Sequence, residues 1–336
     1  MASSASAHKP LSSQVGGHAG VLATEDGSLI IKPALPLELQ FYQALQQNSD
    51  FEPLRPFIPN FIGTLKLEGE LDEKKSTAEG NISVIPADTP EKDEFISALL
   101  GSIVLENISY PFLKPNILDV KLGTVLYDET ASPEKVERMI KTAKNTTSLE
   151  TGIRLTGFQV YDNVTHLAVN TPKDYGKSIK PADLPDGISR FFPVGSSVAQ
   201  GSREASNSSS SGLPVHTLLP ILRELRKDIA EIKNVYSGLE IRMIGGSLLI
   251  VYEADWIRAK EALQRLEQED EDEEDEDEDE DEEGGSKRNG PPYVVKLIDF
   301  AHTRLTPGKG PDEGVLLGMN TLLKLVDGRI ADLEKD

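Results

Sequence analysis

Cysteine is absent from the 336 residues. That excludes disulfide staples and thiolate zinc sites, and it makes a reducing compartment the expected setting. No apolar stretch reaches the roughly 18–20 residues that span a bilayer. The opening MASSASAHKPLSS lacks the apolar segment of a secretory signal, so 1–14 reads as a disordered leader and the protein as intracellular and soluble. Positive charge is in short supply: 35 Lys and Arg stand against 56 Asp and Glu, a net charge of −21. The excess is concentrated, because Glu269 to Glu283 are fifteen consecutive acids, and without them the net charge is an ordinary −6. The tract therefore says little about the body of the protein, and it argues against direct nucleic-acid binding by the chain. Like charges at that density repel and bury no apolar surface, so 267–291 is expected as a solvated loop, either solubilising or docking a basic partner such as a histone-like or DNA-binding protein. No internal repeat and no sustained heptad is visible, which excludes a solenoid and leaves a monomer as the default.

What is present suffices for a sizeable core, expected as two lobes of one unit with a boundary near 107–115: an N-lobe over 15–108 and a C-lobe over 109–336. From Val15, two apolar segments meet at Asp26-Gly27, a strong hairpin signal, and the second ends in Lys32. Pro36 opens a helix whose Leu37, Phe41 and Leu45 would form the apolar face, with Glu38 in its first turn. Residues 68–93 are polar and broken by Gly69, Gly80, Pro86 and Pro90, a surface excursion, before strand character resumes over 96–108. Ser132-Pro133-Glu134 reads as cap, first helical position and first-turn acid of a helix over 132–145, with Lys135, Arg138, Lys141 and Lys144 on or near one face. Residues 195–212 form a flexible serine-rich linker. Leu218, Ile221, Leu222, Leu225, Ile229 and Ile232 then mark an amphipathic helix closed by Gly238. Two strands (LEIRMI, SLLIVYEA), the acidic loop, a strand YVVKLIDFAHT and a last helix around GVLLGMNTLLKLVDG complete the chain.

Phosphoryl transfer needs a lysine for the nucleotide phosphates, an acid for Mg²⁺, and groups that position the acceptor hydroxyl and neutralise the moving charge. The chain offers such parts in order: Lys32 at a strand end after a glycine-bearing loop, Asp119 and Lys121 on PNILDVKLG, and Asp299 at the end of VVKLIDF. Side chains alternate along a strand, so Asp119 and Lys121 share a face and can reach one phosphate together. The helix with Lys135, Arg138, Lys141 and Lys144 is either a solvated basic face or a source of the several cations that a dense anionic substrate needs.

PNILDVKLG, 115–123, matches the Pro-x-x-x-Asp-x-Lys-x-Gly signature of the inositol polyphosphate kinase family; IDFAHT and GGSLLIVYE resemble its other recurring segments, and DEGVLLGMNTLLKL its closing helix. The resemblance spans about 15–335, nearest to the branch acting on more than one ring hydroxyl, and the acidic run is similar to that of fungal members. It implies an α+β, two-lobed fold similar to protein kinases, with nucleotide in the interlobe cleft. It also implies ATP and Mg²⁺ as cofactors, and a transferase that phosphorylates inositol trisphosphate and tetrakisphosphate to the pentakisphosphate. Residue by residue, Lys32 would hold the α- and β-phosphates with Glu38 as its partner, and Glu106 and Ile108 would present backbone groups to adenine. Asp119 would act near the ribose and the reacting hydroxyl, Lys121 would contact the transferred phosphoryl, and Asp299 would bind the metal. His302 would touch a substrate phosphate. Ser247 departs from the family's paired serines because Gly246 precedes it, and it is expected only in support. Siblings that act on the trisphosphate alone or on the hexakisphosphate remain alternatives, as does phosphorylation of a lipid head group. The expected setting is nucleus and cytoplasm, and a nuclear scaffold that docks basic transcription factors through the acidic tract, with catalysis secondary or absent, is the alternative of another class.

Overall fold

The computed structural model describes residues 9–10, 21–66, 69–71, 84–86, 101–195, 211–272 and 290–335. The expected leader, apart from Lys9–Pro10, which pair with Leu22–Ala23 rather than lying disordered, the interior of the excursion, the body of the serine-rich stretch and residues 273–289 lie outside the described residues. Up to residue 106 the chain lays down β1 (Lys9–Pro10), β2 (Leu22–Ala23), β3 (Leu29–Pro33), α1 (Pro36–Gln47), β4 (Phe61–Lys66), the short ladder of β5 (Gly69–Leu71) with β6 (Val84–Pro86), and β7 (Gly101–Glu106). The first sheet is antiparallel in the order β1-β2-β3-β7-β4. Gly27 makes the β2–β3 turn at φ +80°, a conformation that L side chains resist. The Asp26 carboxylate ties that turn by accepting from Ser28 Oγ and Thr24 Oγ1, each at 2.6 Å.

α1 begins on Pro36, but its buried stripe differs from the expected one. Glu38, Phe41, Tyr42 and Leu45 face inward, spaced i, i+3, i+4, i+7, while Leu37 is 38% exposed. A 100°-per-residue helix can bury either set. Packing against the rest of the molecule selects the stripe that carries a carboxylate into the core.

The second sheet runs β10-β9-β8-β12-β13, with β8 (Pro115–Leu122), β9 (Ile153–Asp162), β10 (Leu167–Thr171), β12 (Ser247–Glu253) and β13 (Tyr293–Ile298) all antiparallel. β11 (Ile241–Ile244) pairs separately with β14 (His302–Leu305). The strand expected as YVVKLIDFAHT is thus two strands in different sheets, broken where Asp299 adopts φ +66°. Aspartate tolerates this left-handed turn better than a branched residue would. Helices α2 (Pro133–Asn145), α3 (Ser148–Thr151), α4 (Lys173–Ser178), α5 (Leu184–Phe191), α6 (Val215–Ser237), α7 (Trp256–Asp272) and α8 (Glu313–Leu333) surround it. The α6 stripe from Leu218 to Ile232 is fully buried, and α8 lies along it.

Two boundaries move. α7 continues through Asp272, inside the segment expected as a loop from 267. Its start is legible in hindsight: Asp255 Oδ1 accepts from the amides of Ile257 and Arg258, and Ala259, Ala262 and Leu263 recur at helical spacing. The ends of the expected serine-rich linker are pinned, since Val194 bridges Leu213 and Gly195 bridges Ser211. One hydrophobic core runs through both sheets' surroundings. At its centre Phe41 of α1 stacks on Phe300, ring centroids 4.3 Å apart, and Tyr42 meets the same ring edge-on. That contact brings α1 and the end of β3 to the residue beside Asp299.

Candidate active site

Asp299 is the node. Its Oδ1 accepts from Lys32 Nζ at 2.8 Å and its Oδ2 from Lys121 Nζ at 2.7 Å, while Lys32 also donates to Glu38 Oε1 at 2.8 Å. Lys121 has a further bond to the Gly245 carbonyl at 2.9 Å. Each partner arrives from a different element: Lys32 from β3, Glu38 from the inward stripe of α1, Lys121 from central β8, Asp299 from the break after β13. Burial alone would raise the Asp299 carboxyl, but the charges and hydrogen bonds of Lys121 and Lys32 outweigh it and hold the group well below the ordinary carboxylate range. Burial likewise opposes the charge on Lys32, and Asp299 and Glu38 overcome it, keeping the ammonium charged.

Asp119 is in a different state. β8 is the middle strand and is buried along nearly its whole length, so Asp119 is buried too. Neither of its oxygens has a hydrogen-bond partner. Burial pushes its carboxyl up and the Asp299 charge adds to this, while Lys121, the nearby Ser247 hydroxyl and Arg154 offset part of it. Ser247 Oγ, on the neighbouring β12, is also buried and makes no well-formed hydrogen bond, though it lies near enough to Asp119 to favour the charged carboxylate. Three orphaned oxygen atoms side by side in the middle of a sheet fit a place where another molecule supplies the missing partners.

Arg154 was not legible in the motif. It stands directly across from Lys121 in the β8–β9 ladder, half-buried, and burial lowers its pKa. Two cations paired across strands repel, and Asp119 beside them offsets the repulsion. The signal was a charged residue alternating with Ile153 and Leu155, both fully buried.

Between the two sheets, Glu106 ends β7, its amide donating to the Asn60 carbonyl and its Oε2 accepting from the Asn60 amide at 3.1 Å. Ile108 packs with Phe112, Ile117 and Val251. The sequence reading missed Asn107 between them. Its side chain donates to the Gly27 carbonyl at 2.7 Å and its amide to the Ser28 carbonyl at 2.9 Å, fastening the β2–β3 turn to this connection.

His302 opens β14, where its Nδ1 lies 2.7 Å from Asp128 Oδ2. α2 starts where expected: Pro133 is at its first position and Ser132 Oγ accepts from the Lys135 amide at 3.3 Å. The charge of Lys135 acts on both Asp128 and His302, so the first turn of α2 adjoins this corner. Arg138, Lys141 and Lys144 are exposed and form no ion pair among the described residues. At 3.6 residues per turn Arg138 lies about 60° around the helix from Lys135 and shares its face, whereas Lys141 is about 120° and Lys144 about 180° away, so the four cations do not form one face.

Among the described residues no group of three or more His, Asp or Glu could enclose a metal ion. Mg²⁺-type binding instead draws on one or two carboxylates together with substrate phosphates. Asp299, each of whose oxygens is paired with a lysine, and Asp119, close enough to feel its charge, are the two carboxylates at this site.

Residues 102–327 match the family model for inositol polyphosphate kinase. The chain is 33% identical to the inositol polyphosphate multikinase of Saccharomyces cerevisiae, covering 95% of this chain and 97% of that protein. It is 28% identical to the inositol polyphosphate multikinase of Schizosaccharomyces pombe, covering 92% and 93%. A crystal structure of the inositol phosphate multikinase Ipk2 from S. cerevisiae in complex with ADP and Mn²⁺ superposes with a TM-score of 0.59 at 29% identity, covering 90% of this chain and 100% of that one.

Proposed function

This chain belongs to the inositol polyphosphate kinase family, and from that premise we propose that it is an ATP- and Mg²⁺-dependent multikinase that phosphorylates ring hydroxyls of soluble inositol tris- and tetrakisphosphate to give the pentakisphosphate. The observation that carries the reading is Asp299 held at each oxygen by a lysine, beside the buried and unpartnered Asp119.

Lys32, kept charged and aimed by Glu38, is the group for the α- and β-phosphates. Asp299, with those phosphates, would hold the metal, which when bound supplies neutralising charge along the polyphosphate chain. Asp119 orients the attacking ring hydroxyl and takes its proton as the oxygen bonds to the γ-phosphorus and the bond to the leaving ADP oxygen breaks. Its raised pKa suits a base better than an ordinary carboxyl would. Lys121 and Arg154 stand across from each other where the transferred group's charge needs compensation. The substrate's other phosphates meet the cations of α2 and the His302 corner.

Incubation of the purified chain with ATP, Mg²⁺ and inositol trisphosphate, with products separated by anion exchange, should show tetrakis- and then pentakisphosphate. Absence of both, with hexakisphosphate converted instead, would overturn the multikinase assignment. In the same assay the double substitution Arg138→Ala, Lys141→Ala should raise KM for inositol trisphosphate about tenfold, leaving kcat and KM for ATP near their original values, because these exposed side chains form no ion pair among the described residues and would serve only to meet substrate phosphate. The proposal extends to a monomer of nucleus and cytoplasm whose acidic tract docks basic transcription factors. Deleting 269–283 should then abolish capture of a basic factor and leave the kinase rate intact, whereas a large fall in rate would tie the tract to the catalytic body.

A further inference from the structure

The loop between β8 and α2 makes a contact that the transfer chemistry does not use. Asp128 is 6% exposed, and both of its oxygens are engaged: Oδ2 by His302 Nδ1 at 2.7 Å, Oδ1 by the Thr130 amide at 2.9 Å and Thr130 Oγ1 at 2.7 Å. Next to it, Glu129 pairs with Arg304 at 2.7 Å. His302 and Arg304 alternate on β14 and so project to one side of it, which means that two consecutive acids clamp the loop following the Asp119–Lys121 strand onto the strand following Asp299. The two pairs differ in burial. Glu129 is 68% exposed, so its pair contributes little, whereas Asp128 is held by three bonds.

We infer that Asp128 is a positioning residue for the inositol phosphate: it holds the His302 ring by accepting its Nδ1–H, so that Nε2, on the far side of the ring, is presented to the substrate beside Lys135. The inference rests on the kinase reading above and names a residue that acts through another. A carboxylate at one ring nitrogen selects the tautomer and sets the ring's angle. Lys135, whose charge reaches both residues, places the first cation of α2 at the same corner.

The test compares Asp128→Ala, Asp128→Asn and, as control, Glu129→Ala in the full chain. Two readouts are taken: KM for inositol trisphosphate and for ATP separately, and the His302 tautomer from long-range ¹H–¹⁵N correlation spectra assigned by His302→Gln. The alanine variant should raise KM for inositol trisphosphate about tenfold with KM for ATP unchanged, and its His302 should lose the Nδ1–H preference. The asparagine variant, whose amide oxygen still accepts from Nδ1, should recover most of both, and Glu129→Ala should resemble the parent. An unprotonated Nδ1 in the parent, an unchanged substrate KM in Asp128→Ala, or an equal rise in both KM values with a lowered melting temperature would each overturn the inference, the last by reducing Asp128 to a structural role. If the parent chain shows no inositol phosphate kinase activity, the proposed function fails, while the tautomer spectra still decide whether Asp128 sets His302.

Discussion

Asp299→Asn is expected to abolish phosphoryl transfer and to destabilise the fold. The asparagine keeps the shape but removes the charge that two lysines share. Lys32 and Lys121, about nine-tenths and more than four-fifths buried, would face each other with Glu38 left as the near counter-charge of Lys32. Breaking a buried pair by neutralising one partner costs about 3–5 kcal/mol, and the surviving Lys32–Glu38 bond argues for the lower end. The rate should fall by about 10³-fold or more, since charge compensation aimed at the moving phosphoryl usually contributes more to the acceleration than any other effect. The pH dependence has a defined sign. The folded Asp299 carboxyl lies below its unfolded value of 3.8, so its stabilisation is fully present above about pH 4 and is lost on further acidification through the folded value. The gap in urea midpoint between parent and variant should accordingly be flat from pH 5 to 8 and narrow only below 4. A variant that keeps a tenth of the parent rate would remove Asp299 from the metal role.

Asp119→Asn is expected to lower the rate comparably, by about 10²–10⁴-fold, with the opposite effect on stability. Here the carboxylate is buried without a hydrogen-bond partner, and burial raises its pKa. A raised acid has the reverse linkage: the ionised form costs stability as pH climbs from the unfolded value of 3.8 towards the folded one, and the cost persists above it. Removing the charge relieves that cost at neutral pH, against a smaller loss of attraction to Lys121 and Arg154. The melting temperature at pH 7 should therefore equal or exceed the parent's while product formation nearly disappears. A clear drop in melting temperature would mean that Asp119 is a structural counter-ion, and retained activity would mean that the proton goes elsewhere. Taken together, the two variants separate an acid that holds the site together from one that the site holds in an unfavourable state.

Much of this protein was determined locally. Asp26-Gly27 specifies its turn because glycine alone takes φ +80° freely, Ser132-Pro133 starts α2 because cap and fixed φ act within one turn, and the α6 stripe follows from a 3.6-residue period. The two-residue alternation that places Asp119 and Lys121 on one face is equally local, and the signature around them pointed to the family. What only the tertiary structure decided involves partners far apart in the chain or a choice between equivalent local options. Lys32 and Asp299 are 267 residues apart, Lys121 and Asp299 178, and their meeting depends on sheet order and on Phe41 packing against Phe300. α1 could have buried Leu37, and its packing chose Glu38. β13 could have run on through His302, and the left-handed turn at Asp299 sent the chain into another sheet instead. Arg154, Asn107 and Asp128 carried no motif, since each acquires its role from a cross-strand or loop neighbour that periodicity does not encode. Propensity and spacing act over a few residues, whereas the electrostatics of this site arise from charges that only the packed sheets bring within 3 Å of one another.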